Sequence, residues 1–397
     1  MQPADRIAER PEDVGVDSRK IAALFERAAR EVDQGLLPSA QLAVAREGRI
    51  AAMRTFGHAE FLGEARPATD ETLYDIFSCT KAITSAAAWL LWQEGAFSLD
   101  DRVADLVPGF GENGKGEIRV EQLFLHTAGF PHAPFRPPEF LDRDARHARF
   151  ARWRLNWEPG SRFEYHPSSS MYVIADIIES TSGQRFADFV RDRIARPLGL
   201  ADFHCGLPEA LHGRMADLVL AGEEMTDAEY EALGFPKPPM TEVTPEAILR
   251  FNAPAFRSAG IPGGGGTTSA ADLALFYQAL LMDASGAPGA PGVWKSDTMA
   301  EALRVRTGDL TDPVFGKPVN RGLGVVIAGD EDRTFRSFGH TNSPHAFGHA
   351  GAGGQVAWAD PATGLSFVYL TNGYDQHAVR QARRSIGLSS RAADCAL

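Results

Sequence analysis

The chain has 397 residues, 44% of them hydrophobic and 23% charged, with a net charge of −12. That length and apolar content exclude a disordered chain and suit two domains, or one large domain with an insertion. The negative balance gives no electrostatic support for a nucleic-acid or anionic-membrane partner, so the expected ligand is a small molecule or a neutral polymer.

The three cysteines, Cys79, Cys205 and Cys395, are far apart and odd in number. This fits a reducing compartment without a disulfide framework, and their spacing is not that of a metal site. The leader from Met1 to Arg6 is polar, and no apolar run approaches the roughly 20 residues that span a bilayer. The expectation is a soluble, cytoplasmic protein.

After the leader, apolar residues at Ile21, Leu24, Phe25, Ala28 and Ala29 predict a helix over Ser18 to Val32. Gln41 to Ala45 and Ile50 to Phe56 flank Glu47-Gly48, which reads as a β-hairpin. A largely apolar helix is predicted from Cys79 to Glu94, ending at Gly95, as a central buried element. The middle of the chain, 103–256, shows helical periods at Met171 to Glu179 and Phe186 to Ile194 and little strand alternation. Gly183 and Gly199 are placed as C-caps, and Pro197 supports a stop. Gly234 to Pro245 reads as a surface loop, and Gly286 to Gly292 as another. Gly263 to Gly266 lacks a following lysine, so it is read as a flexible turn before a helix at Ala270 to Leu281 and not as a phosphate loop. Gln355 to Ala359 and Leu365 to Thr371, around Asp360-Pro361-Ala362-Thr363-Gly364, form a second hairpin. A helical stretch, Gln376 to Ile386, follows.

Matching hairpin-and-helix layers at the two ends predict that both ends build one antiparallel sheet flanked by helices. The expected class is α+β, with 1–102 and 257–397 as one discontinuous domain. A mostly helical domain, 103–256, is inserted.

Chemistry is concentrated in Phe77-Ser78-Cys79-Thr80-Lys81. Ser78 is the one serine standing three residues before a lysine. With 6 lysines in the chain and serine at about 5% of positions, chance supplies only about 0.3 such pairs. Three residues is one helical turn, which puts the amine over the hydroxyl, with the positive end of the helix dipole beside it. A desolvated lysine can take the proton that makes serine nucleophilic. The same residues would also serve as a serine N-cap followed by a surface lysine. Two further segments can complete a site. A turn at Trp157-Glu158-Pro159-Gly160 delivers Tyr165 as a proton carrier, with Tyr172 as the competing tyrosine. In Gly348-His349-Ala350-Gly351-Ala352 small residues let backbone approach a ligand. The Ser78 and Ala352 N–H groups could then pair as an oxyanion hole.

Together these segments resemble the serine β-lactamase and penicillin-binding protein superfamily, in its branch of class C β-lactamase-like esterases and amidases. Ser78-x-x-Lys81 is similar to its first motif, Tyr165 to its second, and His349-Ala350-Gly351 to its third. Leu125-His126-Thr127-Ala128-Gly129, Trp157-Glu158-Pro159-Gly160, Pro197-Leu198-Gly199-Leu200, Gly263 to Leu273 and Thr371-Asn372-Gly373 match as supporting segments. The resemblance implies the fold given above with the active site in the cleft between the two domains, and a Ser78 acyl-enzyme, with Lys81 and Tyr165 sharing acid-base work. Two departures bear on the substrate: Pro167 stands where β-lactamases of this class have asparagine, and His349 where they have a lysine that binds the β-lactam carboxylate. The expectation is therefore an ester or simple amide without an essential carboxylate. His349 would donate to the carbonyl region or steady Tyr165, and Phe130, Phe135, Trp157 and Gly351 would line the cleft. An acyltransferase, a D-amino-acid peptidase or β-lactamase, and a non-catalytic ligand sensor remain as alternatives. No cofactor or metal is expected: Pro344 and the surrounding glycines place His345 and His349 in a loop. No Gly-x-Ser-x-Gly elbow is present.

Overall fold

The computed structural model describes residues 6–61, 63–135, 137–237 and 242–397. The two ends of the chain build one seven-stranded antiparallel sheet. Its order is Glu64–Pro67, Arg49–Phe61, Ser39–Arg46, Leu365–Leu370, Val356–Asp360, Phe347–Ala350, Val326–Ile327. The fold is α+β, as the paired hairpins predict. Glu47 and Gly48 both take positive φ, 54° and 72°, which suits a two-residue turn whose twist matches its strands. The ends meet at the centre of the sheet, where Gln41 pairs with Leu370 and Arg46 with Leu365.

Strand alternation sorts side chains by size. Ala43, Ala45, Ala357 and Ala359 face the layer containing the helix Ala270–Ser285, so that helix can seat close to the sheet. Its Gln278 donates to the carbonyls of Ala45 and Gly364 at 3.0 Å each. On the other face Leu42, Val44, Trp358, Phe367 and Tyr369 pack under the helices Ser18–Asp33 and Ala378–Ala393. Each such side chain contributes about 1.5–3 kcal/mol by leaving water. The last helix runs on to Ala393, past the expected end at Ile386, because Leu388, Ala392 and Ala393 continue its buried face beyond Gly387.

The middle of the chain carries the helices Arg143–Arg152, Ser169–Ser182 and Phe186–Val190. The helical path passes through Pro197 by way of a π-turn at Arg191–Ala195 and ends only at Gly199, with φ 60°. The wider turn tolerates a residue that has no N–H for the usual ladder. Sequence reading does not anticipate two three-residue strands, Phe203–Cys205 and Val219–Ala221. The first pairs with Gly266–Thr268, which also pairs with Tyr74–Asp75. The middle is thereby tied to the strand that feeds Ser78. Of the loop expected from Gly234 to Pro245, residues 238–241 lie outside the described residues. Its start, 234–237, is exposed, and Pro245 opens a short helix to Leu249.

From Tyr74–Asp75 the chain passes a 3-10 turn, Phe77–Cys79, into the helix Thr80–Gln93. Every residue of that helix from Thr80 to Leu91 is buried. A helix apolar on all sides must be surrounded, and this one is the rigid post on which the Ser78 turn stands. Among the described residues no helix is long and apolar enough to cross a membrane.

Candidate active site

Ser78 sits in the first turn before the buried helix, held by an unusual residue: Phe77 has φ +44° without being glycine. Such a conformation costs on the order of 1–3 kcal/mol and persists only where packing imposes it. The Phe77 ring is anchored edge-on to Phe251, with centroids 5.3 Å apart. Neighbouring Cys79 is no rival nucleophile, because burial pushes its thiol up to about 12.

The Ser78 Oγ accepts from two donors, Lys81 Nζ at 3.0 Å and Tyr165 OH at 3.1 Å. Lys81 is fully buried, and its amine also donates to the carbonyls of Pro167 at 2.7 Å and Gly263 at 2.8 Å. Those two carbonyls determine what the amine can do. A neutral amine has two N–H groups, both taken here, so its lone pair faces Ser78; a protonated one turns its third N–H to the same oxygen. Proton exchange with Ser78 needs no rotation.

Gly263 and Gly264 lie in a turn before the helix at Ala270, as expected from sequence, with the short strand Gly266–Thr268 between them and that helix, and Gly263, Gly265 and Gly266 are buried. The Gly266 N–H donates to Thr80 Oγ1 at 2.9 Å. A Cβ at Gly265 would come within 2.5 Å of the Ile261 nitrogen, and one at Gly266 within 2.7 Å of Thr80 Oγ1. Glycine is required there for close backbone approach.

Tyr165 is held from the supporting segments. The N–H groups of Glu164 and His166 donate to the carbonyl and Nδ1 of His126, both at 3.2 Å, and the Gly160 N–H to Thr127 O at 2.7 Å. The His126 ring lies against Tyr165, with centroids 4.7 Å apart. Burial, with Arg321 nearby, keeps His126 neutral, well below the usual imidazole range. Tyr172 is elsewhere: it is buried, stacks on Phe135 at 4.1 Å, and burial pushes its phenol above the ordinary value.

Two cavities meet at Ser78 and share Val243 and Ala352 in their walls. One, of about 270 Å³, is mostly apolar, with Phe77, Phe135, Tyr172, Ile248, Phe251 and Ile261 among its lining residues, beside Ser168, Glu242 and Arg250. The other, of about 360 Å³, is lined by Tyr165, His349, Gly351 and the charged side chains Asp312, Lys317, Arg321 and Arg336. The Gly351 backbone is wedged so that a Cβ would meet Ile76 O at 2.7 Å. Ala352 lines both cavities, and its carbonyl accepts from Gln381 Nε2 at 2.8 Å.

His349 faces Arg321. Its Nδ1–H donates to Ala350 O at 2.8 Å, which leaves the Nε2 lone pair toward Arg321 Nη1 at 3.5 Å. Burial, then the charges of Arg321 and Lys81, hold the imidazole neutral, well below its usual range. The Tyr165 ring is 6.2 Å away, centroid to centroid.

Of the residues expected on the cleft wall, Phe135 and Gly351 are there. Phe130 and Trp157 line neither cavity. Phe130 is fully buried, stacked on Trp153 with ring centroids 5.6 Å apart and edge-on to Phe110 at 5.8 Å. Trp157 turns aside to donate to Glu164 at 3.0 Å. Sequence reasoning missed Arg321, whose faint signal is a single charge at the entrance to the otherwise uncharged run Gly322 to Ala328. It also missed the Pro167 and Gly263 carbonyls, which have no signal, since every residue has one.

Residues 23–389 match the Beta-lactamase family, and the chain belongs to it. It is similar to the "Putative D-alanyl-D-alanine carboxypeptidase" of Escherichia coli (strain K12), at 28% identity over 383 residues, 91% of this chain and 84% of the relative. Among solved structures it is similar to a penicillin-binding protein homolog from Caulobacter crescentus, with TM-score 0.77 and 28% identity over 95% of this chain and 99% of that one. A family VIII carboxylesterase gives TM-score 0.77 and 26% identity, with the same coverage of both chains. The chain is a serine hydrolase of the β-lactamase fold.

Proposed function

We propose that the protein hydrolyses carboxylic esters through an acyl-enzyme on Ser78. The observation that carries this reading is the double approach to one oxygen, with Lys81 Nζ and Tyr165 OH at 3.0 and 3.1 Å from Ser78 Oγ. In acylation Ser78 Oγ bonds to the ester carbonyl carbon and its proton passes to the Lys81–Tyr165 pair. The N–H groups of Ser78 and Ala352 hold the oxyanion. The carbon–oxygen bond to the leaving alcohol then breaks as Tyr165 delivers a proton to it. Water attacks the acyl-enzyme, gives one proton back through the same pair to Ser78 Oγ, and releases the acid. The apolar cavity takes the acyl group. The other takes the alcohol, because Tyr165, the donor to the leaving oxygen, is in its wall. His349 is a positioning residue here, acting through Arg321 and the neighbouring strand backbone. Ester specificity over amide is favoured by the likeness to the carboxylesterase and by Pro167, whose ring has no amide to bind an acylamino chain.

The test is turnover of nitrophenyl acetate beside labelling by a fluorophosphonate. Ser78→Ala is expected to lose at least about 1,000-fold in kcat and all labelling of the peptide carrying residue 78. Retained turnover or label at another residue would refute the assignment.

A further inference from the structure

We propose that the surface groove between the helix Ala378–Ala393 and the turn Arg333–Arg336 receives the far end of the substrate's alcohol, so that the preferred substrates are esters of long unbranched aliphatic alcohols. This deepens the acyl-enzyme reading above and rests on it.

The groove holds about 390 Å³, and Arg383 is the one charged residue in its lining. Its floor is a second apolar stripe on the last helix. The first stripe, with Leu388 and Ala392, packs under the sheet. The second, Ala378, Val379, Ala382 and Ile386, recurs at helical spacing and faces the groove. The opposite side comes from Tyr230 and Phe235. Tyr230 belongs to the helix Asp227–Leu233, which has no buried residue, so this side has not been drawn into a core. The three phenylalanines left exposed among the described residues, Phe235, Phe315 and Phe335 at 38%, 40% and 44%, all line this one groove. Apolar surface concentrated in this way marks a binding site.

The occupant follows from where the groove leads. Phe315, Phe335 and Ser337 also line the cavity that holds Tyr165 and His349. The two rings, with centroids 5.6 Å apart, therefore form a ridge shared by the catalytic cavity and the groove. That ridge is built to stay in place. Lys317 Nζ lies 5.6 Å from the Phe335 ring centroid, and Arg336 ties the turn down by donating to the carbonyls of Ala328 and Pro318 at 2.9 and 2.7 Å. Asp332 and Ser337, on either side of the turn, take φ 55° and 68° without being glycine. Such strain persists only where the surroundings impose it. Because both rings are exposed, a flexible chain leaving the Tyr165 cavity can lie across them into the groove. The alcohol is the half that points this way, since Tyr165 serves the leaving oxygen from that cavity's wall, and the acyl cavity shares no lining residue with the groove. A lining without a carboxylate and with a single cation suits a methylene chain better than a charged or polyhydroxylated alcohol.

The experiment uses isomeric ester pairs of identical composition that differ in which side of the carbonyl bears the chain: butyl acetate against methyl pentanoate, and octyl acetate against methyl nonanoate. Acid release is followed below the solubility limit of each ester. In the wild type the kcat/KM ratio, alcohol-side chain over acyl-side chain, is expected to rise about tenfold or more from the first pair to the second, each methylene seated in the groove adding up to about fourfold. Ala382→Asp places a charge at an exposed position of the groove. It is expected to cancel the rise whatever happens to the individual rates, and Ala382→Leu to keep it. A ratio that does not rise in the wild type, or a rise that Ala382→Asp leaves intact, overturns the proposal. If that variant fails to fold, Phe235→Ser takes its place with the same two outcomes. A groove covered by a second copy of the chain would show as a flat ratio and a concentration-dependent dimer that Ala382→Asp dissolves, which also overturns it. Failure of the acyl-enzyme reading looks different: turnover of octyl acetate would then survive Ser78→Ala.

Discussion

Behind the sheet, buried charge is neutralised; in the cleft it is left open. Arg384, 2% exposed, donates to Glu31 at 2.7 Å and Asp375 at 2.8 Å. Burial pushes both carboxyls up, but their arginine hydrogen bonds outweigh it and hold them below the usual range. Arg146 and Arg257, the other fully buried arginines, likewise hold Glu179 and Asp217 at 2.6 Å. Among the described residues Arg321 has no such ion pair, and burial, against the pull of Tyr165 and Asp312, lowers its guanidinium from the usual range. A cation taken from water without a carboxylate costs stability, so the contrast marks where the molecule gives up stability to keep a charge available.

The contrast can be broken most forcefully from behind the sheet. Arg384→Met removes the arginine that bridges Glu31 and Asp375, leaving each carboxylate with one arginine, Arg27 and Arg380, and is expected to destabilise the fold by about 1.5–3 kcal/mol, read as a lower urea midpoint. Specific activity of the folded fraction should be kept. In the cleft the sign of the trade reverses. Tyr165→Phe is expected to slow acylation about 100-fold or more, seen as a smaller burst or slower single turnover, with the urea midpoint nearly unchanged. A near-normal rate would remove Tyr165 from the proton path.

Asp75 sharpens the comparison from the anionic side. It sits in the strand feeding Ser78, has no ion pair among the described residues, and leaves Oδ2 without a partner. Burial raises its carboxyl to about 7, against the pull of Arg257. The folded protein therefore holds a proton that the unfolded chain has already lost above about pH 4. The stability this contributes is full below that pH and is lost as pH rises through about 7. Asp75→Asn should flatten the fall in urea midpoint across that window. An unchanged pH profile would mean that Asp75 is ionised in the fold. The smallest effect belongs to Arg321→Met, expected to leave stability unchanged or raise it by up to about 1 kcal/mol. A loss comparable to that of Arg384→Met would show that Arg321 is structural after all.

Much of the framework is legible because it is local. The hairpin at Glu47-Gly48, the buried helix after Ser78 and the Ser78–Lys81 spacing all depend on residues within a turn or two of each other, where periodicity and turn chemistry act directly. The C-cap at Gly199 was legible, although Pro197 did not stop the helical path before it. The extension to Ala393 was not, because burial of a continuing apolar face carried the helix on past Gly387.

By itself the sequence determined the antiparallel sheet made from both chain ends, the hydroxyl with an amine one turn further on, and the three-segment pattern that resembles the family. Only the tertiary structure decided that a tyrosine 87 residues away donates to that hydroxyl, that two carbonyls aim the amine, that Gly265 and Gly266 are buried against Ile261 and Thr80, and that an arginine lies beside His349 with no ion pair among the described residues. The physical reason is that periodicity reports which face of an element is buried, not which distant element covers it. Backbone carbonyls carry no residue identity, and whether a charge is paired is a property of the fold surrounding it.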